Sequence, residues 1–448
     1  MMIRRIFLFL AIMASLVACT DDDSFTTSRT ALLTFSTDSV KMDTIFSNVG
    51  SRTYDFWVYN RAGDGIRLQS VRLRQGNQTG FRVNVDGAYL DNTLGSVVTD
   101  LEVRKGDSIR VFVELTAPDN GQAEPQLIED LLLFRLESGV EQSVVLQGHA
   151  WDAIAMSNVV VHADTLIESR KPIIIYGGLV VDSLATLTIR NTTLYFHEGR
   201  GLEVFGRLLT DSVILRGDRL DRMFSYLPYD RVSGMWGHDG GVVIHSSSAG
   251  NVMRRTEIRN AGLYGVLIDS AACDDQLLRL NMEQCVVHNT RGAGLAALHA
   301  NVRLYGCQFS NAQGDCVSII GGKADIRRCT MAQFYPFTGG RGAALLFSSL
   351  MPLYDLRCDS SIVTGYDDDV LMGVQADTVS AFTYAFSNTL LRTPKVETAD
   401  SVRFTNVKWE SPKDSVQGKQ HFVLIDEQNL QYDFHLDSIS TAWGWGCY

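Results

Sequence analysis

Between Leu280 and Met331 the apolar positions fall into register with themselves at an offset of 22 residues. Leu280, Val302 and Ala324 align, as do Met282, Leu304 and Ile326, then Cys285, Cys307 and Cys329, then Val287, Phe309 and Met331. The same offset aligns Asn289 with Asn311 and Gly292 with Gly314, while Arg279, Arg303 and Asp325 fall between the apolar columns. Side chains alternate between the two sides of a strand, so columns that stay apolar together mark an inward face. A unit of this length, with short strands and no helical period, predicts a solenoid in which each coil stacks on the last: a parallel β-helix of three short strands per coil. An upstream copy, Met253, Thr256, Ile258, Asn260 and Val266, joins the register once seven extra residues are allowed around Asp269 to Gln276. Stacked asparagines are expected to hydrogen-bond along the stack.

From Ala31 to about residue 150 the pattern is different. Short alternating runs such as 54–59, 66–73, 81–85, 109–115, 131–136 and 144–146 are separated by turn chemistry at Asp86-Gly87 and Lys105-Gly106-Asp107. This predicts about seven strands in a β-sandwich.

Composition narrows the partners. The 448 residues carry 40 Lys plus Arg against 51 Asp plus Glu, a net charge of −11, which disfavours nucleic acid. Only 8 prolines argue for a chain that is mostly folded. Arg4 and Arg5, an apolar run from Ile6 to Met13 and then Leu16-Val17-Ala18-Cys19 read as a processing signal too short to span a bilayer.

The string Leu16-Val17-Ala18-Cys19 resembles the lipobox of bacterial lipoproteins. The resemblance implies a signal peptide over 1–18, acyl chains on Cys19 and stable attachment to a membrane surface. The following Thr20-Asp21-Asp22-Asp23 resembles the surface-export signal of Bacteroidota lipoproteins, implying the outside of the outer membrane; a solvated tether over 19–30 is the plain alternative. Asp-Ser and Asp-Thr before an apolar residue, as at Asp43-Thr44-Ile45 and Asp211-Ser212-Val213, is similar to the O-glycosylation sequon of that group, and equally a turn feeding a strand. Val58-Tyr59-Asn60, Lys105-Gly106-Asp107 and Val145-Leu146-Gln147-Gly148 resemble immunoglobulin-like modules of surface proteins. Segments such as Ile173-Ile174-Ile175-Tyr176-Gly177 and Met235-Trp236-Gly237 resemble right-handed β-helix surface proteins of pectate-lyase-like fold. Tyr432-Asp433-Phe434-His435-Leu436 and Trp443-Gly444-Trp445-Gly446 resemble their closing strand, implying an apolar plug over the last coil.

The chain is therefore expected to be all-β: an immunoglobulin-like β-sandwich over 31–152, a right-handed parallel β-helix over 153–431 and a C-terminal cap over 432–448. Cys285, Cys307 and Cys329 read as a buried thiol column of small core residues, because stacked Cβ atoms sit further apart than a disulfide prefers. Cys273, Cys316, Cys358 and Cys447 stay open to disulfides. Gly292-Ala293-Gly294 imitates a dinucleotide fingerprint, but the 22-residue column explains both glycines.

Parallel β-helices that cleave polysaccharides use carboxylates, sometimes with Ca²⁺, and a base. The catalytic candidates here are Asp367, Asp368 and Asp369, with His288, Arg291 and Arg341 as basic groups; Asp367 and Asp369 are also the metal candidates. A solvated turn is the plain reading of the Asp triplet. His238 and Asp239 would pair or form an ordinary loop, and Asp274 and Asp275 ride the seven-residue insertion. In a second insertion, Gln333 to Gly342, Phe334, Tyr335 and Phe337 either stack on sugars or fold back over a coil corner, with Tyr335 and Phe337 the glycan candidates. The function expected is a lipid-anchored, non-catalytic structural or glycan-binding scaffold without a cofactor. The alternative is a polysaccharide lyase or glycoside hydrolase, the lyase with Ca²⁺. The expected partners are the membrane and an extracellular polysaccharide.

Overall fold

A computed structural model describes residues 24–90, 93, 95–221, 236–237, 241–271 and 277–448. Cys19, Asp21 to Asp23, His238, Asp239, Cys273, Asp274 and Asp275 lie outside the described residues. The chain divides into two compact units, residues 1–151 and 152–448.

In the first unit, two five-stranded sheets enclose one apolar core. One orders Leu33–Phe35, Tyr54–Asn60, Ser108–Leu115, Phe81–Val85 and Ala88–Tyr89; the other orders Ser39–Phe46, Glu141–Trp151, Gln126–Leu136, Ile66–Leu73 and Val97–Val103. Alternation puts Phe56 and Val58, Val111 and Val113, and Val144 and Leu146 inside. The strands outnumber the seven expected; one of the additional ones, Ser39–Phe46, contains the Asp43-Thr44 pair that reads as a turn. That strand runs parallel to Glu141–Trp151.

The second unit is a parallel β-helix with three faces. Face A stacks 173–176, 192–196, 213–217, 256–259, Val286–His288, Gln308–Ser310, Thr330–Gln333, Ile362–Gly365, Leu390–Leu391 and Lys408–Trp409. Face B stacks Leu202–Val204, Val242–Ile244, 266–268, 295–298, 317–320, 345–348 and Leu371–Val374. Face C stacks Thr165–Glu168, 186–190, 207–211, 252–254, Leu280–Glu283, 302–305 and 324–327. The 22-residue register is the observed pairing: Leu280 faces Val302 and Val302 faces Ala324. The upstream copy also pairs as read, Met253 on Met282 and Val266 on Leu295. One inward column runs Ile189, Thr210, Met253, Met282, Leu304, Ile326, Cys358, Phe386, Phe404. Arg279 does not point out between columns: it is 2% exposed and donates to the carbonyls of Ser248 and His245.

The corner from face C to face A is one left-handed residue in nine successive coils: Asn191, Ser212, Arg255, Gln284, Gly306, Arg328, Ser360, Asn388 and Asn406. Only one is glycine, although an L-residue there costs about 1–2 kcal/mol. At six of the nine corners a hydrogen bond from the next residue offsets part of the cost. Cys285, Cys307 and Cys329 each donate a thiol hydrogen to the carbonyl two residues back, at 3.4, 3.4 and 3.3 Å. Thr256, Ser361 and Thr389 do the same with hydroxyls at 2.9, 2.8 and 2.6 Å. The thiol column is thus a corner clasp as well as core filling. Cys316, Cys358 and Cys447, the other described disulfide candidates, are free.

The corner from face A to face B carries a second left-handed column, Asn260, Asn289 and Asn311. Their backbone N–H groups donate to the carbonyls of His288, Ser310 and Ala332 in the next coil. The expected side-chain ladder is not formed, for the three Oδ1 atoms are buried without a hydrogen-bond partner. Asparagine is used here because its side chain tolerates this backbone.

Residues 411–448 do not plug the last coil; they return along the outside of face A. A short 3-10 turn, Gly418–His421, leads into an antiparallel hairpin, Phe422–Asp426 with Gln431–Leu436. Phe422, Phe434 and Ala442 bury against Ala332, Phe334, Ile362 and Leu390. Further on, Gly446 N–H donates to Ser360 O, Cys447 N–H to Thr330 Oγ1, and the Tyr448 hydroxyl to Gln308 Oε1. An ionic cluster latches this segment to the coils. Glu410 pairs with Arg392 at 2.8 Å and accepts from Thr364 and from the Gly418 backbone, with His421 Nε2 at 3.7 Å. Burial alone would raise the Glu410 carboxyl, but the nearby His421 ring and the hydrogen bonds from Thr364 and Gly418 hold it below its ordinary range.

Two outcomes test these contacts. Replacing Cys307 with Ala should cost about 1 kcal/mol in urea unfolding while Cys307→Ser costs less, because the hydroxyl keeps the clasp; equal loss from both would deny it a role. Glu410→Ala should cost about 1–3 kcal/mol by leaving buried Thr364 and the Gly418 N–H without their acceptor, while Arg392 keeps Asp368, and should expose residues 411–448 to proteolysis before the coils unfold.

Candidate functional site

Where the returning segment stops covering face A, a groove of about 440 Å3 opens. Parallel register builds its floor. The outward positions of successive coils place Glu257 and Arg259, then Val286 and His288, then Gln308 side by side. Its wall is Tyr432, Asp433, Phe434 and His435 of the hairpin, with Tyr448 beyond, and Asn260 and Asn289 line it at the corner.

The floor is a charged chain. His288 Nε2 donates to Glu257 Oε1 at 3.1 Å. Arg259 Nε lies 3.3 Å from the same oxygen, but its N–H is not aimed there and is buried without a hydrogen bond. Burial would raise the Glu257 carboxyl; the His288 hydrogen bond and the charges of His288, Arg259 and Arg216 override it and bring it down to about 2. Arg216, one coil earlier, is lowered to about 10 by burial and by Arg259. On the wall, the His435 backbone and ring both donate to Asp433, the ring at 2.6 Å, and hold that carboxyl low. Burial pushes the Tyr448 phenol up, so it stays a donor to Gln308. The His435 and Tyr448 rings stack with centroids 4.3 Å apart.

Of the residues singled out in the sequence, His288 is in this groove. Arg291 follows in the corner after face A, where its backbone N–H donates to Ala261 and Gly262, and it does not line the groove. The three aspartates do not converge. Asp367 faces Arg341 at 3.4 Å, Asp368 pairs with Arg392 at 2.7 Å, and Asp369 accepts from Thr393 at 2.8 Å. Consecutive residues of a turn point apart, so each takes a different partner, and neither a joint catalytic role nor a joint metal role for Asp367 and Asp369 fits this geometry. Among the described residues no cluster of three or more His, Cys, Asp or Glu is placed to hold a metal. Phe334 and Tyr335 are 0% and 2% exposed, the first packed under the hairpin. Tyr335 therefore offers no ring face to a sugar; Phe337 meets it edge-on at 5.4 Å and is half-buried. The insertion folds back over the coils.

Glu257, Arg259, Tyr432, Asp433, His435 and Tyr448 were not expected at a site. For Glu257 and Arg259 a signal existed, since the 29-residue step that aligns Ile258 with Val287 also sets them beside Val286 and His288. Ser440, His421 and Glu410 imitate a nucleophile array, with Ser440 Oγ 3.0 Å from His421 Nδ1. All three are buried, and the hydroxyl also accepts from Ala442 N–H, so this is a packing contact.

Residues 157–331 match the family described as right handed beta helix region. No curated protein matches the chain. Among solved structures, the chain is similar to the A-module of mannuronan C-5 epimerase AlgE6 of Azotobacter vinelandii, at 13% identity over 59% of this chain and 60% of that one, with a TM-score of 0.28. It is similar to the catalytic unit of a GH87 alpha-1,3-glucanase from Streptomyces thermodiastaticus, at 10% identity over 80% and 89%, with a TM-score of 0.27. It is similar to the VesB protease of Vibrio cholerae at 13% identity over 28% of this chain, with a TM-score of 0.18, and spans 33% of that chain.

Glu257 should leave a signature in acid. A carboxyl lowered in the fold contributes stability above its unfolded value near 4.5, and that contribution is lost as pH falls through about 2. Glu257→Gln should flatten the stability profile between those values; a profile identical to the parent's would remove the ion pair from consideration.

Proposed function

We propose that this right-handed β-helix is a non-catalytic glycan-binding scaffold, held at the cell surface by lipid on Cys19. The acidic tether and the first unit, read as an immunoglobulin-like spacer, would carry the solenoid away from the membrane, and residues 432–448 would act as a lateral cover in place of an end cap. The observation that carries the reading is the groove on face A. It joins aromatic surface, from Tyr432 and Tyr448, to a floor of fixed polar groups, the combination that grips a sugar's apolar face and its hydroxyl edges.

The same groove speaks against the hydrolytic alternative. Paired-carboxyl hydrolysis needs one acid held protonated near neutral pH, with its pKa raised. Glu257 and Asp433 are both shifted the other way.

The purified protein should bind at least one member of a panel of neutral and acidic polysaccharides in affinity electrophoresis. It should release neither reducing ends nor unsaturated uronates, with or without Ca²⁺. Tyr448→Ala should weaken the binding about tenfold, the scale of one lost ring contact. Product from any polymer would overturn the scaffold reading.

A further inference from the structure

The first unit presents aromatic side chains on the outward side of one of its sheets, the one holding Tyr54–Asn60, Ser108–Leu115, Phe81–Val85 and Ala88–Tyr89. Alternation already supplies the core from the other side of these strands, so solvent-facing positions here need no large rings. Antiparallel register nevertheless sets Trp57 beside Arg110, Phe112 beside Asn84 and Asn84 beside Tyr89. With Tyr59, whose ring stacks on Trp57 at 6.5 Å, they form a diagonal aromatic band over four adjacent strands. Three strand spacings make it about 14 Å across. Trp57 and Tyr89 are 37% and 48% exposed, so both rings are open to a partner. The Arg110 guanidinium fills the gap between Trp57 and Phe112, 5.4 and 4.9 Å from their centroids, and is pinned by Asp55 at 2.9 Å. A hollow of about 260 Å3 opens at the other end, lined by Phe112, Tyr89, Asn84, Arg82 and Glu114.

The charges on this face say what the band would take. Its two outward carboxylates are engaged: Asp55 accepts from Arg110, and Glu114 accepts from the Thr53 hydroxyl. Two exposed guanidiniums have no carboxylate partner among the described residues: Arg61, over the Tyr59 ring at one end, and Arg82 in the hollow. An arginine only donates, as does the Trp57 indole N–H. Open ring surface is thus bracketed by cations, which calls for a partner with flat apolar faces and negative charge at more than one point. A neutral glycan brings the faces and leaves both guanidiniums unanswered. An acidic peptide brings the charge without a rigid succession of ring faces. A chain of uronates brings both, its pyranose faces packing on the aromatic rings and its carboxylates pairing with Arg61 and Arg82.

We infer that this sheet face binds an acidic, uronate-bearing polysaccharide. The surface is separate from the groove on face A, and it gives the first unit a role beyond that of a spacer.

The test titrates the full chain calorimetrically with hexagalacturonate, hexaglucose and hexaglutamate. The variants are Trp57→Ala and Arg82→Gln on the sheet and Tyr448→Ala in the groove on face A, each checked for native circular dichroism; Arg82→Gln, at an exposed position, carries the test alone should Trp57→Ala fail to fold. The expected result is binding of hexagalacturonate at least tenfold tighter than of the other two, weakened about tenfold by either sheet variant and by added salt, and unchanged by Tyr448→Ala. Equal binding of hexaglucose or hexaglutamate would overturn the ligand class. No binding of hexagalacturonate, or binding that a folded sheet variant leaves unchanged, would overturn the surface. Binding lost only in Tyr448→Ala would do the same while leaving the groove reading in place.

Discussion

Everything in the second unit depends on parallel, in-register stacking. In this geometry each residue lies about one strand spacing, 4.8 Å, from its counterpart in the next coil, so a side chain's main neighbour is the residue in the equivalent position of the adjacent turn. Apolar on apolar is the only inexpensive choice inside, and the columns through Met282, Leu304 and Ile326 obey it. Outside, equal charges would face each other, and face C avoids this by alternation: Arg190, Asp211, Arg254 and Glu283 stack in that order. Exposed pairs of that kind stabilise little. Their effect is to make the correct register the one without repulsion.

That constraint also explains how much of the fold was legible. A period survives in the sequence because stacking forces like onto like, and the same logic recovered the coil upstream of the seven-residue insertion. The corners were less legible. Cys285, Cys307 and Cys329 read as small core residues, since nothing local shows that a thiol reaches the carbonyl behind a left-handed residue. The path of 411–448 was illegible for a different reason. Phe422 and Phe434 must be buried whether they cover an end or a side, and pattern alone does not say which surface is waiting.

The site follows from the same geometry. Its floor is three coils' worth of outward positions on one face, so residues 29 and 22 positions apart become neighbours. His288 was legible as a chemical residue, but Glu257 and Arg259 gain meaning only from the register. The aspartate triplet failed in the opposite way. Three acids adjacent in sequence look like a cluster, yet a turn sends them to Arg341, Arg392 and Thr393, and they become fastenings. The wall of the groove comes from a segment more than a hundred residues away, attached by the burial of Phe422, Phe434 and Ala442 and by the Glu410 and Arg392 pair.

The left-handed corners between faces C and A carry a mechanical implication. Each non-glycine corner holds a conformation its residue would leave if free, and it is kept there by the coils on either side. A coil that loses its neighbour also loses the reason to stay bent, so the tension in its corner is released outward. Unwinding would then pass from coil to coil, starting at an end that is prised open, since each coil is held only by its neighbours.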